Sequence, residues 1–301
     1  MPITHVATAN GVHAFRDDDP DPVISMQGRP VTGLARADDD LWAVVDHREL
    51  WRSSVEGWQH VADVAGVRAT CVACVSGQLL IGTSEAHLLR LEDRIPRRVE
   101  GFDRVTGREG WYTPWGGPPD TRSIANWDED VFVNVHVGGI PRTNDGGATW
   151  SPTIEVDADV HHVTTAEGGL VLAACAGGLA VSADRGATWA MRTGGLEGTY
   201  CRAVAVCGDD VLVSSSLGPR GGRAAVYRGD LAGGPFRRVD VGPGWFDGNI
   251  DTYCLDALPK GEPVAAFGTA DGRLYLSADG GSTWTDRASG LPEIRRVLVM
   301  P

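Results

Sequence analysis

The chain has little that would serve a nucleic-acid or anionic-membrane surface. It holds a single lysine, Lys260, and its 27 basic residues are outnumbered by 40 acidic ones, for a net charge of -13 and a pI near 5.0. A sequence-independent nucleic-acid binder needs a basic footprint, and so does a protein held on anionic lipid. No apolar run approaches the ~18 residues of a spanning helix; the best, Gly169 to Val181, is short and made of small residues. Periodic runs of Ala, Leu, Glu, Lys and Arg, which long helices need, are also missing. The segment Met1-Pro2-Ile3-Thr4-His5 lacks a basic stretch and an apolar core, so the expectation is no secretory signal and a cytoplasmic location. Cys71, Cys74, Cys175, Cys201, Cys207 and Cys254 then read as reduced thiols.

What the chain has in excess is glycine, 40 of 301 residues, in an otherwise ordinary composition of 42% hydrophobic and 22% charged residues. That combination means many turns. The length suits two ordinary domains or one large repeat barrel.

The chain repeats itself. Thr143-Asn-Asp-Gly-Gly-Ala-Thr-Trp150, Ser182-Ala-Asp-Arg-Gly-Ala-Thr-Trp189 and Ser277-Ala-Asp-Gly-Gly-Ser-Thr-Trp284 share the pattern Ser/Thr-x-Asp-x-Gly-x-Thr-Trp. Trp150 and Trp189 are 39 residues apart, and Trp189 and Trp284 are 95, about two repeats. Worn copies are Arg228 to Phe236, with Phe in the Trp place, and Ser53 to Trp58. Each copy follows strand, glycine turn, strand, as in Leu170 to Cys175, Gly177-Gly178, Leu179 to Ser182. Four strands at a period of about 40–50 residues make a propeller blade. Within the motif, Asp145, Asp184 and Asp279 can accept backbone N–H groups in a tight turn. The glycine supplies positive φ, and Trp150, Trp189 and Trp284 wedge a large apolar surface against the sheet. On this reading the motif is structural.

Seven blades follow: Val31 to Val64, Val67 to Val99, Thr121 to Ile154, Val160 to Met191, Tyr200 to Val239, Thr252 to Arg287, and a mixed blade of Ile294 to Met300 with Thr4 to Thr8 and Val12 to Arg16. The mixed blade would close a ring within one all-β domain, 1–301, and remove sheet edges. Six blades with a loose N-terminus is the alternative.

The motif resembles the Asp-box, or BNR repeat, found in sialidases, sortilin-type receptors, several glycoside hydrolases and propellers of the photosystem II assembly-factor type. The resemblance implies a propeller whose box hairpins lie away from the working face. Sialidases set three Arg on the substrate carboxylate, a Tyr nucleophile with a Glu partner and an Asp acid/base, and carry Phe/Tyr-Arg-Ile-Pro ahead of their first box. Here Asp93-Arg94-Ile95-Pro96 keeps Arg-Ile-Pro, but on an outer strand of the second blade rather than at an inner strand start. By that comparison Tyr253 is the candidate nucleophile, with no Glu placed beside it; for ordinary glycoside hydrolysis by paired carboxylates, Asp120 and Glu85 are the catalytic candidates, with Asp46, Asp247 and Asp251 as further carboxylates on the rim. No nucleophile elbow, P-loop or dinucleotide fingerprint occurs.

Three long connections fall on one rim in this register: Gly101 to Asp120, Ser214 to Arg223 and Val241 to Asp251. The first displays Trp111, Tyr112 and Trp115, and the third Trp245 and Phe246. These aromatics either stack a flat ligand or plug the channel end. Strand starts carry Arg68, Arg122, His161, His162, Arg202, Tyr253 and Arg295, while His136 and His47 occupy turns between second and third strands. Converging Arg and His would bind an anion or a polyhydroxyl compound; otherwise they pair with nearby Asp. His161 and His162 point to opposite faces of a strand, so only one could join His136, and two His without a certain third ligand make His136 and His161 a weak metal pair. No metal and no cofactor are expected. Cys71-x-x-Cys74 has no second pair and reads as core thiols.

The expectation is thus an Asp-box propeller with a rim pocket for a small anionic or carbohydrate-like ligand, with hydrolysis of that ligand as its enzymatic form. The other reading is a non-catalytic scaffold for a protein partner.

Overall fold

The computed structural model describes residues 1–16, 19–242 and 244–301. Its strands form seven four-stranded antiparallel sheets. The first contains Val31–Ala37, Asp40–Val45, Glu49–Ser54 and Gly57–Asp63 in order. The next five run from Ala69–Val75 to Ile95–Arg98, Thr121–Trp127 to Ser151–Pro152, Val160–Ala166 to Ala190–Arg192, Tyr200–Cys207 to Gly233–Arg238, and Leu255–Ala257 to Thr285–Ala288. The seventh joins both ends of the chain, in the order Ile294–Met300, Ile3–Thr8, Gly11–Arg16, Val23–Ser25. Ile3 pairs with Met300 and Val6 with Val297. This is a seven-bladed β-propeller. The strand Val23–Ser25 completes a blade for which the sequence suggested only three strands. Among the described residues no helix is long and apolar enough to cross a membrane.

The second strands explain why simple alternation fails as a guide. Asp130–Val135 is buried at every position, and Asp210–Ser216 at all but the first. Such strands are covered on both faces, so apolar residues follow one another instead of alternating. Fourth strands face solvent and turn polar, as in Ile95–Arg98.

Contacts group the chain into two compact units: Met1–Val31, Ala174–Ala180 and Met191–Pro301 make one, Thr32–Ala173 and Val181–Ala190 the other. The first unit packs Phe267 flat on Tyr275 at 4.7 Å and against the Trp284 ring at 4.9 Å. The second buries Leu50, Val72 and Ile81 in one cluster and sets Phe102 edge-on to Trp150 at 5.1 Å. The six cysteines are thiols, five of them buried.

The three Trp hairpins share one hydrogen-bonded cage. Oδ1 of Asp279 accepts the backbone N–H of Thr283 at 2.8 Å, and Oδ2 accepts the Thr283 hydroxyl at 2.6 Å. The Ser277 hydroxyl donates to Asp279 at 2.8 Å and accepts the Gly281 N–H at 2.8 Å. Asp145 and Asp184 hold Thr149 and Thr188 in the same way. Gly281 sits at φ +82, and a Cβ there would lie 2.6 Å from Leu212, so the turn admits no side chain. The Trp284 indole donates to Gly281 O at 3.0 Å and the Trp150 indole to Gly147 O at 3.1 Å, whereas Trp189 reaches Thr153 O at 2.8 Å.

Candidate functional site

The 101–120 connection is a folded loop. The helix Glu100–Asp103 and the turn Arg108–Gly110 open it. Trp111 leans on Phe102 at 6.0 Å and carries the Arg108 guanidinium 4.8 Å above its ring, so it serves packing rather than display. The Thr113 hydroxyl donates to Gly116 O at 2.7 Å, and the Tyr112 N–H reaches Val137 O at 3.3 Å. Trp115 is left 70% exposed, its ring 5.0 Å from that of His136.

His136 lies in the turn after Asp130–Val135, its N–H held by Asp120 O at 2.9 Å. The turn is tight enough to force Val137, a β-branched residue, to φ +46. His136 is 3% exposed and His161 fully buried, their rings 5.9 Å apart. Between them stands Asp159, at φ +48 after the turn Val156–Ala158. Its Oδ1 is 3.3 Å from His136 Nε2 and 3.5 Å from His161 Nε2. Burial opposes the Asp159 charge, but the two imidazoles outweigh it and hold the carboxyl well below the usual range.

Trp115, His136 and His161 are thus brought together as the sequence suggested, with Asp159 as the member it missed. Asp159 stands in the left-handed region one residue ahead of the strand that begins at Val160, so no strand periodicity pairs it with His161. Also missed was His87, whose Nδ1 is 2.6 Å from Asp103, with Arg98 3.3 Å and Arg108 3.7 Å from the same carboxylate.

The other nominated groups of this unit stand as follows. Arg68 is 3.8 Å from Asp120, both partly exposed. Arg122 is half-buried on its strand. Glu85 is exposed at φ +63, its carbonyl accepting Arg108 at 3.1 Å. His47 Nδ1 lies 3.2 Å from Ala69 O.

In the first unit, Ser214 to Ser216 belong to the strand Asp210–Ser216, so the predicted long loop from Ser214 shortens. The strand continues because Ser214 and Ser215 pair with Val226 and Ala225. The remaining loop is stitched to 241–251 by mutual backbone bonds of Ala224 and Phe246, each 2.9 Å; Pro243 lies outside the described residues. Phe246 is core, packed on Phe267 at 5.7 Å. Trp245 has Arg223 and Arg238 4.5 and 4.3 Å from its ring center, so guanidinium groups already engage it. It borders a cleft of about 410 Å³ with Asp247, Asn249, Thr269, Asp271 and Arg273. Arg202 pairs with Asp251 at 3.0 Å and Arg295 with Glu293 at 3.0 Å. Tyr253 precedes its strand, which starts at Leu255, and sits at φ +63 with the Arg296 guanidinium 3.5 Å over its ring.

No protein-family profile matches the chain, and no curated protein matches it. Solved structures match in fold. An ancestral GH74 enzyme aligns with 99% of this chain and 40% of its own, at 13% identity and a TM-score of 0.64. The WD40 β-propeller domain of Doa1 aligns with 99% of this chain and 87% of its own, at 15% identity and 0.62. YCF48 bound to D1 peptide aligns with 92% and 86%, at 14% identity and 0.58. The extracellular domain of a hybrid two-component system from B. thetaiotaomicron gives 0.63 at 11% identity, with this chain spanning 35% of its length. At these identities the likeness is one of fold.

Proposed function

We propose that the chain is a binding propeller that takes a small anionic or carbohydrate-like ligand beside Trp115. One observation carries this reading: a large aromatic ring, 70% exposed on a folded loop, lies against the buried polar group of His136, Asp159 and His161. An apolar platform next to a few fixed polar groups suits a ligand that both stacks and hydrogen-bonds. Kinship with Asp-box propellers is part of the proposal, supported by the three matching Asp cages. A glycosidase-like reaction is its sharpest form, with Asp120 and Glu85 as the carboxylates that the sequence nominates in the same unit.

A second reading, a non-catalytic scaffold for a protein partner, draws on the exposure of Tyr112 and Trp115, 46% and 70%. YCF48, a protein of similar fold, is solved bound to D1 peptide.

The test is a thermal-shift panel of sugar acids and phosphate compounds in EDTA-containing buffer. At a hundredfold excess over Kd a ligand stabilises by about 2.7 kcal/mol. The wild type is expected to respond to at least one compound and Trp115→Ala to lose the response. A flat wild-type panel would sink the small-ligand reading, and an equal response in Trp115→Ala would move the site elsewhere.

A further inference from the structure

We propose that His136, Asp159 and His161 form a binding site for a divalent transition cation of the zinc type. The inference deepens the reading above and rests on it for the choice of working rim, but its chemistry stands on distances alone.

The three ligand atoms lie within 4.8 Å of one another. Oδ1 of Asp159 faces both Nε2 atoms, at 3.3 and 3.5 Å. A charge-assisted N–H···O bond settles at about 2.7–2.9 Å, so both contacts are long for an ion pair whose members are free to close. Ligands held about 2.1 Å from a zinc ion stand roughly 3.4 Å apart at tetrahedral angles. The two carboxylate–imidazole separations match the edges of such a shell, and the imidazole–imidazole edge lies within 4.8 Å.

The donor set narrows the ion. Two imidazoles and one carboxylate, without thiolate, suit Zn²⁺, Cu²⁺, Ni²⁺ or Fe²⁺, while Mg²⁺ and Ca²⁺ prefer oxygen alone. Two neutral rings and one carboxylate leave a bound divalent cation with a net charge of plus one. That charge would strengthen the hold on the anionic end of a ligand that Trp115 and the fixed polar groups already bind without the ion.

The site is also built before any ion arrives. His136 and His161 are buried at 3% and 0% exposure, and both turns that deliver ligands are held at positive φ, at Val137 and Asp159. Asp159 keeps 24% of its side chain accessible, which leaves the shell open on one side. Three protein ligands with an open position are the arrangement of zinc sites that bind or transform a substrate; sites that only brace a fold are closed by four.

The experiment is a titration of the metal-stripped full chain with ZnCl₂ against a chromophoric chelator, with CoCl₂ as the spectroscopic probe. The expected result is one equivalent of zinc per chain and the visible bands of four- or five-coordinate cobalt. Asp159→Asn and His161→Ala should weaken zinc by at least about tenfold, ~1.4 kcal/mol, whereas His47→Ala keeps the equivalent. Bound Cu²⁺ should quench part of the tryptophan emission, and Trp115→Phe should lose that part. A wild type that binds no equivalent, or one whose cobalt spectrum is that of the aqueous ion, overturns the site whether or not the variants fold. Undiminished binding in both folded ligand variants also overturns it, by assigning the ion to surface histidines. Zinc binding with a flat EDTA panel would refute the small-ligand reading and keep the site; a responsive panel without zinc binding would do the reverse.

Discussion

A single aspartate in each Trp hairpin does the work of a small network. Asp279 collects the Ser277 and Thr283 hydroxyls and the Thr283 N–H, and its pKa is drawn to about 2, chiefly by the Thr283 hydroxyl. Asp184 is drawn to about 2 by Thr188 in the same manner. Both values lie below the 3.8 of an unfolded carboxyl, so the folded state binds fewer protons than the unfolded one in acid. Their contribution to stability is complete above pH 3.8 and is lost as pH falls toward 2. Asp279→Asn is therefore expected to lower Tm at neutral pH and to flatten the melt's dependence between pH 4 and 2. The neutral-pH loss is about 1 kcal/mol, or ~1–2 °C for a chain of 301 residues, kept small because the cage is exposed and screened. Differential scanning calorimetry over that range would check it; an unchanged acid limb would show that the cage is not coupled to folding.

At the scale of the element, the seventh sheet carries its own acid sensitivity. His13 is buried at 5% exposure with neither ring nitrogen hydrogen-bonded, and burial pulls its pKa down. His5, on the neighbouring strand, falls from 6.5 to about 4, through burial first and the charge of Arg16 second. A histidine depressed in the fold stabilises fully above its unfolded value, and that stability is lost as pH falls from 6.5 toward 4. His5→Gln is expected to remove about 1–2 kcal/mol of the stability lost between pH 7 and 5; urea midpoints at the two pH values measure it, and an identical drop in wild type and variant would refute it. This sheet also shows what the sequence could convey. Its strands Ile3–Thr8, Gly11–Arg16 and Ile294–Met300 are short, largely apolar runs that carry β-branched residues, and they were legible. Val23–Ser25 is three residues long, follows Pro20 and Pro22, and faces solvent, so no pattern announces it. The six internal blades were legible because the Trp motif sets their period. Of the candidate site, His136 and His161 were legible from their places at a turn and a strand start. Asp159 was not, since a left-handed residue ahead of a strand belongs to no periodic face. For the arginines the sequence offered two readings, and Arg68, Arg202 and Arg295 each meet a carboxylate within 4 Å, an outcome set by side-chain reach that spacing does not encode.

For the whole molecule, the pairing of Ile3 with Met300 makes the terminal strands a single structural commitment. Removing residues 294–301 strips the first strand from the seventh sheet and bares the edge of Ile3–Thr8. The truncated chain is expected to lose its cooperative melt, with the amides of residues 3–8 exchanging at unfolded rates; protection of those amides in the truncated chain would overturn this account.

That pairing has a consequence for biosynthesis. On the ribosome, the segment around Ile3–Thr8 leaves the exit tunnel nearly 300 residues ahead of its hydrogen-bonding partner. At about 5–20 residues per second, the nascent polypeptide carries an unmated β-edge for tens of seconds, a period in which a chaperone or a neighbouring nascent chain has access to it.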